Sequence, residues 1–443
     1  MFMKHLFRLF VFLTSSIVFA QLPKDYFSDP LKVPLVLSGT FGELRSNHFH
    51  SGLDLKTQGK EGLDIHSSAA GYVSRIKISH YGYGKVLYIK HSNGYTTVYA
   101  HLQKFSPKIE AYVKAKQYAK ESYTIELYPN NEELKVDKDE VVAISGNTGG
   151  SSGPHLHYEI RDPQSRPMNP MLFGMEIEDT KKPIVYTVWL YPLNQEAHIN
   201  GESAPYKLKT TLLEDGTLKT NPVFACGEIG VGVSTYDQQN GAKNKNGIYK
   251  INSSVNGTEN FELEMKRFSF SETRYLNRLI DYGYFKENKS RITKLFIEKN
   301  NPLSIYEKTK GDGVISVLDK LTYNINVNVE DAKENSKKIL IPIEGKTQFV
   351  SKVYPDEKSV YYTTPEKDFT YDGNFASVFV PKKALYKPIV LDIEELPNNF
   401  LKVHKNTEPL HKHMTVSFSL DGQPTPKQCY VGSFKNEAKP SYE

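Results

Sequence analysis

Lys85 to His91 and Tyr95 to His101 are two runs rich in β-branched and aromatic residues, with Asn93-Gly94 between them. Asn-Gly between such runs is the strongest short-range hairpin signal, because the tight turn needs positive φ at both central positions. This segment constrains the chain to an antiparallel β fold. Gly71 to Ile76, Val141 to Ile144 and His155 to Arg161 are further strand runs around it. Ile109 to Lys120, with Ala, Lys and Tyr but neither Gly nor Pro, reads as a short helix.

The chain is too long for one ordinary core, so two or three domains are expected from its 443 residues. Asp162 to Pro170 carries three prolines and closes the first domain, since prolines so close together cannot continue a central strand. After Lys181 the character changes. Ile184–Leu190, Ile229–Val233, Phe261–Met265 and Tyr323–Val329 read as short strands, and Asn-Gly pairs at 240–241, 246–247 and 256–257 punctuate them. That pattern predicts a β-sandwich. Arg274 to Tyr284 reads as a helical insertion. Val378–Val380, Ile389–Ile393 and Met414–Leu420 continue the β character. The expected division is 21–178, an Ig-like sandwich over 179–345, and a further β-rich region over 346–443.

Lys4, His5 and Arg8 precede an apolar stretch from Leu9 to Ala20, and Val18-Phe19-Ala20 supplies small residues where a signal peptidase cuts. Residues 1–20 are thus expected to be a secretory signal, too short for a confident span, and the destination periplasmic or secreted. The competing reading is an uncleaved N-terminal anchor. No later stretch is long and apolar enough to cross a bilayer. Cys226 and Cys429 are the only cysteines. They are too few for a zinc-thiolate cluster, and in an oxidising compartment they either pair or stay as two buried thiols. A net charge of +5 is far from the dense basic surface of a nucleic-acid binder.

Histidines concentrate early: His48, His50, His66, His80, His91, His101, His155 and His157 all precede residue 160. His155 and His157 sit at i and i+2 of a strand run, so they share a face, with Leu156 turned to the core. In a straight strand His50 and Asp54 would stand ~13 Å apart, too far for one ion. Gly52 and the alternating Leu53-Asp54-Leu55 argue against a helix. A bend at Ser51-Gly52 is left, with His50 on the incoming loop and Asp54 on the strand. His101 ends its strand on the side of Thr97 and Tyr99. Three imidazoles and a carboxylate suit a catalytic zinc with an open fourth position.

His50-Ser51-Gly52-Leu53-Asp54, Tyr99-Ala100-His101-Leu102, and Gly146-Asn147-Thr148-Gly149 leading to Gly153-Pro154-His155-Leu156-His157-Tyr158-Glu159 resemble, in order, the motifs of the lysostaphin/LytM-type zinc endopeptidases. The resemblance covers roughly Leu35 to Asp162. It implies an antiparallel β domain that cuts peptide cross-links of bacterial peptidoglycan. It implies Zn2+ held by His50, Asp54 and His157, with His101 and His155 as unligated catalytic residues. Zinc in such a site lowers the pKa of a water and polarises the scissile carbonyl, and one free histidine serves as the base while the other meets the oxyanion. Which does which stays open.

Several lesser readings accompany this one. Glu159 is either a partner that orients an imidazole or a plain surface carboxylate. His48 is a loop residue or a neighbour of the metal shell. His66, His80 and His91 read as surface histidines, and Arg45 as a structural ion pair or a clamp for a substrate carboxylate. Gln117 to Asp137 reads as a groove wall or a long surface loop. The later β regions are expected to place the enzyme on the wall or on envelope protein partners. The rival to an enzyme is a non-catalytic wall-binding module or hydrolase activator, and a third reading is a latent enzyme whose own segments cover the zinc.

Overall fold

The computed structural model describes residues 22–348, 358–419, 432–434 and 440–442. The expected signal segment and Cys429 lie outside the described residues, and so does any Cys226–Cys429 bond. Cys226 Sγ lies 3.6 Å from Thr347 Oγ1.

The molecule is mainly β and its strands pair mostly antiparallel. The first region contributes β1 (Leu37–Gly39), β2 (Leu53–Lys56), β3 (Asp64–His66), β4 (Gly71–Ile78), β5 (Lys85–His91), β6 (Thr96–Ala100) and β7 (Lys104–Phe105). Then come α1 (Pro107–Lys120), β8 (Ile125–Leu127), β9 (Lys135–Val136), β10 (Val141–Ile144), β11 (His155–Arg161) and β12 (Pro167–Met168). The main sheet runs β1-β2-β11-β6-β5-β4-β8, with β12 added to β11 and β9 to β4. A second sheet, β3-β10-β7, packs beside it.

The hairpin forms as the sequence predicts: β5 and β6 are antiparallel, with Gly94 at φ 85° in the turn. The alternation of β2, β6 and β11 sends Leu53, Leu55, Tyr99, Leu156, Tyr158 and Ile160 into one buried core. Each such side chain contributes ~1.5–3 kcal/mol by leaving water. The opposite face carries the polar residues of the site. The stretch from Gln117 to Asp137 ends α1 and supplies β8 and β9, both paired to β4, so it extends the sheet as well as its loops.

Beyond β12 the strands join a 13-stranded mixed arrangement among the described residues. Its long strand Val223–Tyr236 pairs antiparallel with Ile184–Pro192 near one end and parallel with Ser336–Gly345 near the other. The helical stretch expected at Arg274–Tyr284 is broken into a turn at Thr273–Tyr275 and two short helices, Leu276–Leu279 and Tyr282–Asn288. A small separate core gathers Val378, Val380, Leu385, Ile389, Leu391 and Ile393.

One apolar cluster runs continuously from Leu31 to Ile343, across both of the first two regions. Phe268 stacks on Phe41 with centroids 5.0 Å apart and leans on Phe49 at 5.2 Å. Thr40 Oγ1 accepts from Gly247 N at 2.8 Å, Thr273 Oγ1 accepts from Phe49 N at 2.7 Å, and Gln239 bonds Leu35 and Leu37. The loop that carries His50 is therefore held by residues more than 190 positions away.

Candidate active site

Asp54 and His157 are register partners on adjacent strands, so their side chains share one face of the sheet. His50 reaches them from the preceding loop. His50 Nε2 lies 3.0 Å from His157 Nδ1 and 3.0 Å from Asp54 Oδ1, and His157 Nδ1 lies 2.9 Å from Asp54 Oδ1. All three residues are buried.

The outer hydrogen bonds decide what these atoms are. His50 Nδ1 faces the Thr40 carbonyl at 2.8 Å, so Nδ1 carries the proton and Nε2 presents a lone pair. His157 Nε2 faces Glu159 Oε1 at 2.9 Å, so it donates there and Nδ1 presents a lone pair. With His157 neutral, two imidazole lone pairs and a carboxylate oxygen meet with no proton between them. Such a triangle of acceptors fits a cation, and the two-nitrogen, one-oxygen set suits zinc. Without a cation, a proton takes its place in this cluster. Burial works against charge, yet bonds from His155, His157 and His50 hold the Asp54 carboxyl far below its usual range. Burial likewise disfavours a charged His157, but Asp54 and Glu159 push it up to about 9. Burial lowers His50, so only one of the pair could take a proton.

Gly52 earns its place for a reason other than a bend alone. Its φ is not positive; a Cβ there would stand 2.2 Å from the Tyr158 carbonyl oxygen. The glycine lets the loop pass against β11 and deliver His50 to Asp54.

His101 does not follow the parity of its strand. Tyr99 faces the core and meets Tyr158 there. Continued alternation would bury His101 on that side. Instead it lies just past β6 with φ 59°, which turns the ring onto the polar face, 4.7 Å from His155 and 6.0 Å from His157 between centroids. The expectation that it shares a side with Thr97 and Tyr99 is thus corrected by one left-handed residue, a conformation in which His is enriched.

Both outer histidines are aimed by carbonyls of the glycine-rich loop. His101 Nδ1 faces Thr148 O at 2.8 Å and His155 Nδ1 faces Gly153 O at 2.8 Å. Each therefore keeps its proton on Nδ1 and turns Nε2 inward; His155 Nε2 lies 3.5 Å from Asp54 Oδ1. The loop reaches this position because Gly149, at φ 77°, packs where a Cβ would meet Gly84 N at 2.3 Å. Burial lowers His101 to about 4, so it is neutral across the physiological range.

Glu159 is fully buried, which excludes the surface-carboxylate reading. Its Oε1 accepts from His157, from Ser51 Oγ at 2.7 Å and from the Tyr83 hydroxyl, and its Oε2 accepts from Arg161 Nε at 2.6 Å. Tyr83 also stacks on His157 with centroids 5.0 Å apart. Arg161 was legible by parity, two beyond Glu159 on the same strand. Ser51, Tyr83 and the Thr40 carbonyl had no sequence signal. Arg45 binds the second oxygen of Asp54, Nη2 to Oδ2 at 2.5 Å, and Glu43 Oε2 at 3.4 Å, which makes it an ion pair of the site itself.

The remaining histidines stay outside. His48 is exposed and bonds the Ser46 carbonyl. His66 bonds the Asp139 carbonyl and His80 stacks on Tyr123. His91, expected at the surface, is buried between the Ala70 carbonyl and Thr97 Oγ1.

Part of the chain is similar to the M23 peptidases. Residues 48–120 match peptidase family M23, a span that includes His50, Asp54 and His101. In particular, the chain is 33% identical over 128 residues to DD-carboxypeptidase/endopeptidase Mpg of Neisseria meningitidis serogroup B, covering 29% of this chain and 23% of that protein. It is 33% identical over 110 residues to peptidoglycan DD-endopeptidase ShyA of Vibrio cholerae, covering 25% and 20%. The chain thus spans less than a quarter of the length of these relatives. A zinc-containing peptidase from Vibrio cholerae is 24% identical over 35% of this chain and 41% of the other, with a TM-score of 0.25.

Proposed function

We propose that this protein is an exported zinc-dependent endopeptidase that hydrolyses peptide cross-links of bacterial peptidoglycan, with His50, Asp54 and His157 as metal ligands. The observation that carries the reading is the triangle of three buried acceptor atoms, each turned inward by a partner outside it. Its relatives' names point to peptidoglycan as the substrate, and the apolar segment at Leu9–Ala20 supports export to the periplasm or beyond. No helix among the described residues is long and apolar enough to cross a membrane.

Zinc, when bound, supplies a water of lowered pKa and a Lewis acid for the scissile carbonyl. The protein's own residues do the rest. His101, neutral and with Nε2 free, accepts the attacking water's proton and later returns it to the leaving amine. His155, its ring 4.7 Å from that of His101 between centroids, turns Nε2 to the same centre and is placed to meet the developing oxyanion. Glu159, held by Arg161, Tyr83 and Ser51, fixes the tautomer of His157. Arg45 neutralises the outer oxygen of Asp54 and leaves Oδ1 facing the histidines.

The test is digestion of purified peptidoglycan by full-length protein and by His157→Ala, with metal analysis of both and mass identification of released muropeptides. The expected result is about one bound zinc and cross-link cleavage, both lost in the variant with the fold intact. Unchanged cleavage in the variant would sink the zinc assignment. A metal-free, inactive wild type would instead mark a wall-binding module or an activator of another hydrolase.

A further inference from the structure

Three carboxylates far from the peptidase centre meet in one place. One oxygen each from Asp179, Asp237 and Asp331 lies within 4.8 Å of the other two. Asp237 and Asp331 are buried and Asp179 is partly exposed. They come from three segments: the linker after the peptidase region, the end of strand Val223–Tyr236, and the turn between strands Thr322–Glu330 and Ser336–Gly345.

Lys181 acts on Asp179 and Asp237 through its charge without a salt bridge to either. Among the described residues, none of the three forms a salt bridge. Lys181 Nζ bonds the Gln239 carbonyl at 3.1 Å and Lys333 Nζ the Met175 carbonyl at 3.4 Å. Asp331 is pre-set by its own turn, with Oδ1 accepting from Lys333 N and Asn335 N and Oδ2 from Asn335 Nδ2. Asp179 accepts from Lys181 N. Asp237 Oδ1 is buried with no partner. Burial, with Asp179 and Asp331 alongside, pushes the Asp237 carboxyl up to about 7.

A second observation is independent of the carboxylates. Asn246 is 3% exposed, and neither its Oδ1 nor its Nδ2 has a partner. Its backbone pairs with Asp237 in both directions, N to O at 2.8 Å and 2.9 Å, so the two residues sit directly opposite each other. Asn246, Asp179, Asp237 and Asp331 all line one small cavity of about 20 Å³. A buried amide without a partner costs ~1–3 kcal/mol, so these atoms are expected to meet an ion or a water in the cavity. The cavity is the size of one ion or water and admits no larger molecule.

We infer that Asp179, Asp237, Asp331 and the Asn246 side-chain oxygen form a calcium site between the peptidase region and the β region that follows it. The donors are all oxygens, as a hard cation requires, and there is no imidazole or thiolate to attract zinc. Three carboxylates and an amide oxygen around one small cavity suit calcium, which takes many protein oxygens in flexible geometry, better than magnesium, which keeps several waters and uses one or two carboxylates. Asn246 is followed by Gly247, whose backbone grips Thr40 on both sides of its hydroxyl. The ion would therefore tie the linker, the strand end and the turn to the loop that precedes His50.

The test uses full-length, zinc-loaded protein dialysed free of calcium. Thermal unfolding is followed with added calcium or magnesium, and terbium luminescence, sensitised through nearby tyrosines, reports direct binding. Calcium in 100-fold excess over its dissociation constant is expected to raise the melting temperature by roughly 5 °C. Asp237→Asn and Asp179→Asn are each expected to abolish that rise, and Asp237→Asn should melt no lower than calcium-free wild type because it relieves repulsion. Bound terbium should be displaced by calcium. No calcium-dependent rise in wild type, a rise undiminished in both variants, or an equal response to magnesium would overturn the site. These readings do not involve peptidoglycan, so they stand or fall apart from the peptidase proposal.

Discussion

His157 Nε2 donates to Glu159 Oε1 at 2.9 Å, two residues along the same strand, and that bond leaves Nδ1 as the atom facing Asp54 and His50. Replacing the carboxylate weakens this control without emptying the space. Glu159→Gln is expected to reduce zinc affinity about 10–100-fold. A chelator competition titration measures it, and excess zinc should restore part of the hydrolysis. Wild-type affinity in the variant would remove Glu159 from the orienting role.

His101 is set by a left-handed backbone as much as by its ring chemistry. Asn tolerates that backbone and lacks the base. His101→Asn should lower the rate of cross-link cleavage by about 10²–10⁴-fold. Its melting temperature and zinc content should stay near wild type. A variant that keeps most of its activity would exclude His101 as the base.

Gly52 faces the Tyr158 carbonyl at a distance no Cβ can occupy. Gly52→Ala should force β2 and β11 apart and destabilise the protein by about 1–3 kcal/mol, as overpacking does. Urea unfolding gives the stability, and zinc content should fall with it. Undiminished stability would mean that the loop can move away from β11 at little cost.

The contacts of Thr40 and Phe49 with Gly247, Phe268 and Thr273 make the later strands a support for the His50 loop. A fragment covering residues 22–178 is expected to melt lower and cleave more slowly than the full chain. Phe268→Ala in the full chain should cost about 3–5 kcal/mol. A fragment more active than the full chain would show the opposite, that the later region restrains a latent enzyme.

Much of the site was legible from spacing. The i, i+2 pair at His155 and His157, the loop-to-strand step at His50 and Asp54, and the hairpin at Asn93-Gly94 all depend on local rules of parity and turn chemistry. Those rules work within a strand and fail at its end. His101 is the instructive case, because a single positive φ reverses the side on which alternation would place it. His91 fails for another reason: its burial depends on Ala70 and Thr97 closing around it, which no local pattern announces.

By itself the sequence determined the antiparallel strands, the polar face of β11 and the residue types of the candidate metal site, since these follow from periodicity and side-chain chemistry. Only the tertiary structure decided which atoms of those residues meet. The Thr40, Thr148 and Gly153 carbonyls and the Glu159 carboxylate set the proton on each imidazole, and three of the four are backbone groups without a sequence signature. It likewise brought together Asp179, Asp237, Asn246 and Asp331, because long-range strand pairing places side by side residues that chain order keeps far apart.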